Sequence, residues 1–167
     1  MSDSEARQII RSAIGTLCRA AGAQFTARPV IRSGPGGPAV PEPEPLAAIG
    51  AAAGLRYAAA RAVSDHARNA REDGRTWAEI GGAMGFADRP GLRPAPVAER
   101  AFLAVASDLG SGMGFTWTCP ACLGVVTDRG PEAGGPPEAE HGHAGGCKRF
   151  AETVRAWDAS WEDENDA

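Results

Sequence analysis

Lysine is nearly missing from this chain: of 17 basic residues among 167, only Lys148 is a lysine. A phosphate-cradling loop of the P-loop kind needs a lysine between a strand and a helix. The one run that invites the comparison, SGPGGP at residues 33–38, has neither the lysine nor the flanking elements. Histidine is scarce too, with only His66, His141 and His143. None stands in the setting of a catalytic triad. His66 is followed by Ala67 and Arg68 where a zinc deaminase would have H-x-E, and Pro120 lies inside the C-x2-C pair instead of before it. No catalytic centre emerges, and the chain reads as a non-enzyme. Nor is there an apolar run near the roughly 20 residues a membrane helix requires. The opening MSDSEARQII has no basic segment leading into an apolar core, so the expectation is a cytoplasmic protein away from membranes.

Cysteine is limited to four residues, and in a reducing compartment close spacing favours metal over disulfides. Cys119 and Cys122 sit in FTWTCPACLGVVTD, where strand-like ends flank a cysteine-bearing turn. A thioredoxin-like couple would need its C-x2-C at the start of a helix in a βαβ setting. The following LGVVTD is strand-like instead, which removes the redox reading. Downstream, His143 and Cys147 are four residues apart and would share a face of a helix, as the second ligand pair of a finger does. His141 lies six residues before Cys147, about 240 degrees around a helix, so His143 is preferred as ligand. The set Cys119, Cys122, His143 and Cys147, spaced C-x2-C-x20-H-x3-C, predicts a structural zinc site, because four protein ligands leave no open position for substrate.

Elsewhere the hydrophobic content of 43% is that of a globular protein. Ser2 and Glu5 have capping-box spacing, and Ile10, Ile14, Leu17 and Cys18 recur at helical intervals, predicting an N-terminal helix over about 4–21 with Cys18 as a small core thiol. This element is assigned to residues 1–26. Residues 27–45 are rich in Pro and Gly and read as a linker without regular structure. The alanine-rich run from Leu46 predicts a long helix stopped by Gly74, with Ile49, Ala52, Leu55, Ala59, Val63 and His66 leaning towards one face. RTWAEIGGAMGF then has Thr76 as N-cap and Glu79 three residues on. Trp77, Ile80 and Met84 share one face of this short helix, and Gly81 permits close helix approach. A further helix starts near Pro96 and ends at Gly110, with Ala98, Ala101, Phe102, Val105 and Leu109 inward and Glu99, Arg100, Ser107 and Asp108 towards solvent. On the last helix Phe150, Val154, Trp157 and Trp161 form a stripe that would cover the hairpin bearing Phe115 and Trp117, and the acids of EDENDA at its end predict fraying.

The long helix followed by Thr-Trp-x-x-Ile-Gly-x-x-Met-Gly resembles the first two helices of the helix-turn-helix found in actinobacterial regulators. Core and finger together resemble small uncharacterised actinobacterial proteins in which such a helix precedes W-x-C-P-x-C and a Gly-His-x-x-x-Cys helix. The fold class expected is mainly α: a helix-turn-helix-like core at 46–110 and a zinc-binding ββα module with an acidic tail at 111–167. The resemblance supplies the architecture; the function expected on it is a DNA-binding, transcription-regulator-like protein, with a homodimer as a compatible state. The arginines flanking the candidate recognition element, Arg89, Arg93 and Arg100, are the expected phosphate contacts. The rival is a protein-protein interaction module on the same scaffold. Charge bears on the choice. Residues 1–45 carry five arginines against four acids, residues 46–110 eight against seven, and residues 111–167 four basic groups against ten acids. Those tallies, +1, +1 and −6, mean that any DNA contact belongs to the helical core, since the zinc module would repel phosphates.

Overall fold

The structure, a computed structural model, describes residues 2–29, 39–86, 97–108 and 114–165. It is mainly helical with two small sheets. Helix α1 (Asp3–Ala20) opens on the capping box of Ser2 and Glu5. Strands β1 (Phe25–Pro29) and β2 (Ala39–Pro43) follow, then α2 (Pro45–Glu72), α3 (Trp77–Ala83) and α4 (Val97–Asp108). The C-terminal part has β3 (Phe115–Thr118), β4 (Val125–Asp128), a 3-10 turn (Pro131–Ala133), the short α5 (Pro136–Ala139), β5 (Glu140–His141) and α6 (Lys148–Asn165). Two compact units divide at Ala59 and Ala60, inside α2, and not at the Pro/Gly-rich segment.

In the first unit the flanks of that segment are not structureless. Phe25–Pro29 pairs antiparallel with Ala39–Pro43, Phe25 opposite Pro43 and Pro29 opposite Ala39. Proline cannot donate to a ladder, but in a two-stranded ribbon each strand has an outer edge where no donor is needed. Cys18 is buried, as its place on α1 implied, and Arg19 lies over the Phe25 ring.

The second unit holds the main core. Ala67, Trp77, Ile80, Ala101, Phe102, Val105, Ala106, Phe115, Trp117, Cys119, Val126 and Cys147 form one buried cluster, so helices and C-terminal sheet share a single core. Helix α2 ends where Gly74 takes a φ of 89°, and Arg75 N–H reaches back to the Ala70 carbonyl at 2.8 Å. Its buried face differs from the expected one. Ser64 and Ala67 face inward, whereas Ile49, Val63 and His66 are exposed. An alanine-rich helix carries little amphipathic bias, so the aromatic surface it meets decides its rotation.

Helix α3 is capped by Thr76 and Glu79 in reciprocal hydrogen bonds. It buries Trp77, Ile80 and Gly81, and Gly81 allows α4 to approach so closely that an added Cβ would sit 2.5 Å from Val97 Cγ1 and 2.8 Å from its carbonyl oxygen. Helix α4 buries Ala101, Phe102, Val105 and Ala106. Glu99, expected in solvent, is only 3% exposed. The segment after β4 folds back over it: Glu132 N–H donates to Glu99 Oε2 at 3.3 Å, and Gly130 lies against the Phe102 ring. Burial, with Glu132 nearby, pushes the Glu99 carboxyl above the usual range. Leu109 lies outside the described residues.

The C-terminal sheet has the order β3-β4-β5, all antiparallel, with Trp117 opposite Val126 and Thr127 opposite His141. The expected hairpin is present, and a third short strand extends it.

Candidate metal centre

Cys119 ends β3, and the turn that follows is tight. Leu123 N–H donates to the Cys119 carbonyl at 2.7 Å, Cys119 N–H donates to the Gly124 carbonyl at 2.9 Å, and Leu123 takes a positive φ of 59°. This returns the chain into β4 and leaves Cys122 beside Cys119. The second pair departs from the expected helix. His143 stands in a turn after β5, and Cys147 immediately precedes α6, accepting from Ala151 N–H at 3.0 Å. Both ligand pairs are therefore presented by turns. A glycine-rich stretch between His143 and Cys147, with Gly146 at φ 76°, favours a turn over a helical revolution.

The ligand atoms of Cys119, Cys122, His143 and Cys147 all lie within 4.8 Å of one another. Cys119 Sγ is 3.8 Å from Cys147 Sγ, and Cys122 Sγ is 3.8 Å from His143 Nδ1. Tetrahedral bonds of about 2.3 Å to sulfur and about 2.0 Å to nitrogen would put the sulfurs about 3.8 Å apart and sulfur and nitrogen about 3.5 Å apart. The cluster is compatible with a metal ion. His141 is exposed on β5, so His143 is the histidine that the fold brings to the sulfurs.

Backbone N–H groups support the cysteine sulfurs. Ala144 N–H points at Cys122 Sγ from 3.5 Å. Together with Gly124 N–H and His143 it brings the Cys122 thiol down to about 6. Burial pushes the Cys119 thiol up, against the N–H groups of Cys122 and Ala121. Around the ligands, the His143 ring stacks on Phe150 at 4.5 Å and meets Trp117 edge-on at 5.8 Å. Of the expected α6 stripe, Phe150 thus covers the ligand set. Trp157 lies at the surface beside Gly135, and the Trp161 side chain lies outside the described residues.

An arginine network that spacing alone did not reveal ties this site to the helices. Arg71 binds Asp128 Oδ2 and Glu140, and donates to the Arg75 carbonyl at 2.7 Å. Asp128 also accepts from Trp77 Nε1 at 2.8 Å and Gly130 N–H at 2.9 Å. Burial raises its carboxyl while Arg71 and these donors oppose the rise. Arg149 caps the end of α2 through the carbonyls of Arg71 and Glu72, and Arg68 donates to the Thr116 carbonyl at 3.1 Å.

Of the arginines expected to meet phosphate, Arg100 lies on α4 with its guanidinium 4.6 Å from the Phe86 ring centroid. Arg89 and Arg93 lie outside the described residues. No described helix is long and apolar enough to cross a membrane. Compared with family models, curated proteins and solved structures, the chain gives no match in any of the three.

Proposed function

We propose that the chain is a non-enzymatic protein-interaction module: a scaffold of helix-turn-helix type stapled by a structural zinc ion. One observation carries the interaction reading. Among the described residues, the exposed large apolar side chains Ile9, Ile10, Leu17, Val40, Leu46, Ile49 and Tyr57 lie in residues 1–59, where Cys18 is the sole buried residue among those described, and Val63, Leu103, Leu123, Val125 and Trp157 lie in residues 60–167, around a full core. Apolar surface gathered in a segment with so little core is what a partner protein covers. Three thiolates and one imidazole form a soft, closed donor set, which favours zinc in a structural role.

A second reading, DNA binding by α4, draws support from the close packing of α3 on α4 and from Arg100 on α4. Against it, Arg68, Arg71 and Arg149 make hydrogen bonds within the protein.

One preparation tests both readings. Elemental analysis should give one zinc per chain, lost in His143→Ala and kept in His141→Ala. Duplex DNA titrated at two salt concentrations should show weak, non-specific affinity only. Tight binding whose log K against log salt slope flattens by about two to three units on neutralising Arg89, Arg93 and Arg100 would establish the regulator instead, at about 0.9 per lost phosphate contact.

A further inference from the structure

The ligand histidine has a partner on its far side. His143 turns Nδ1 to Cys122 Sγ, and its Nε2 lies 3.1 Å from Glu140 Oε2. The other Glu140 oxygen is bound by Arg71, 69 residues earlier on α2. Arg71 in turn sits within cation-π reach of Trp77 at 5.7 Å and Trp117 at 5.5 Å, and also binds Asp128. These side chains are nearly dry: 11% exposed for Arg71, 3% for Asp128, 9% for Glu140 and 4% for His143.

We propose that Glu140, held in place by Arg71, is the positioning residue that fixes His143 as an Nδ1 ligand, so that metal affinity is set partly from helix α2. The inference rests on the metal reading above and deepens it. A neutral imidazole carries its proton on either nitrogen. When Nε2–H is donated to a carboxylate, the lone pair is left on Nδ1, the atom facing the sulfurs, and the ring becomes a more basic ligand. Glu140 can do this only if its carboxylate does not rotate. The planar guanidinium of Arg71, engaging Glu140 and Asp128 together, prevents that rotation, and a lysine could not match the fork. The arrangement also explains why Glu140 and His143 straddle Gly142. That residue has a φ of 104°, and an added Cβ would collide with the Val125 carbonyl, so the chain reverses between carboxylate and imidazole at a point where only glycine fits.

The test uses the intact protein with zinc or cobalt(II) as the probe, measuring affinity by competition with a chromophoric chelator and the thermal midpoint with and without metal. Glu140→Ala should weaken zinc binding about 10- to 100-fold, the usual cost of losing an outer-shell partner. Arg71→Lys should weaken it in the same direction. Glu140→Gln, which keeps an acceptor for Nε2–H without the charge, should fall between native and Glu140→Ala, and it serves if the alanine variant does not fold. At saturating cobalt the ligand-field bands of Glu140→Ala should shift, a signature that a purely structural role would leave alone. Val105→Ala, which thins the core at a buried residue outside the ligand set and the arginine network, should lower the thermal midpoint and leave metal affinity unchanged. Native-like affinity and bands in the Glu140 variants, or an equal loss of affinity in Val105→Ala, would overturn the proposal while leaving the metal reading intact. A native protein that takes up neither zinc nor cobalt would end both.

Discussion

Trp77 shows how much one side chain connects. Its ring meets Phe102 and Phe115 edge-on, each at 5.3 Å, and its indole N–H donates to buried Asp128. It therefore joins α3, α4 and the C-terminal hairpin at one point. The sequence placed Trp77 in the core from its spacing with Ile80, and it is 5% exposed. Its polar contact was not legible, because Asp128 is 51 residues away and reads in sequence as the end of a strand. Trp77→Ala should cost about 3 to 5 kcal/mol, the range for a buried large aromatic. Trp77→Phe should cost less, keeping the ring contacts but leaving Asp128 without its indole donor. Chemical denaturation of both variants checks the order, and a native-like Trp77→Ala midpoint would mean the ring is not the joint described here.

At the scale of elements, turns were harder to foresee than helices. Capping boxes at Ser2 and Thr76 are local, reciprocal and written within four residues, so both helix starts were readable. That His143 and Cys147 belong with Cys119 and Cys122 was readable, but the geometry that brings them together was not. Residues four apart share a face of a helix, yet two adjacent glycines make the turn cheaper, and α6 begins only at Lys148. Gly81 is the opposite case, a glycine inside a helix whose reason is a neighbour. Gly81→Ala should improve local helix propensity and still destabilise, by about 1 to 3 kcal/mol, because overpacking against the Val97 backbone cannot be relieved by a rotamer change. Thermal unfolding of Gly81→Ala beside Gly82→Ala, where an added Cβ meets nothing within 4 Å, isolates the effect. Equal midpoints for the two would refute it.

For the whole molecule, the open matter is what covers the apolar side chains of residues 1–59. Charge there is low, six arginines against four acids over residues 1–59, so two copies would not repel strongly through this segment. We expect concentration-dependent dimerisation in sedimentation experiments. The double change Ile10→Asp and Ile49→Asp should abolish it, leaving the zinc content at one per chain. A native protein monomeric at every concentration would assign the surface to a different protein.

Composition and spacing by themselves picked out the four residues that cluster as a candidate metal site, the mainly helical class and the two capped helix starts, because each depends on residue chemistry or on neighbours within a few positions. Tertiary structure decided the rest. It rotated α2 so that Ser64 and Ala67, not Val63 and His66, face inward, drew Glu99 under the segment after β4, and turned Arg71 towards Asp128 and Glu140 instead of outward. The physical reason is the same in each case. An alanine-rich helix and a long arginine have no strong preference of their own, so the surface that packs against them settles where they point.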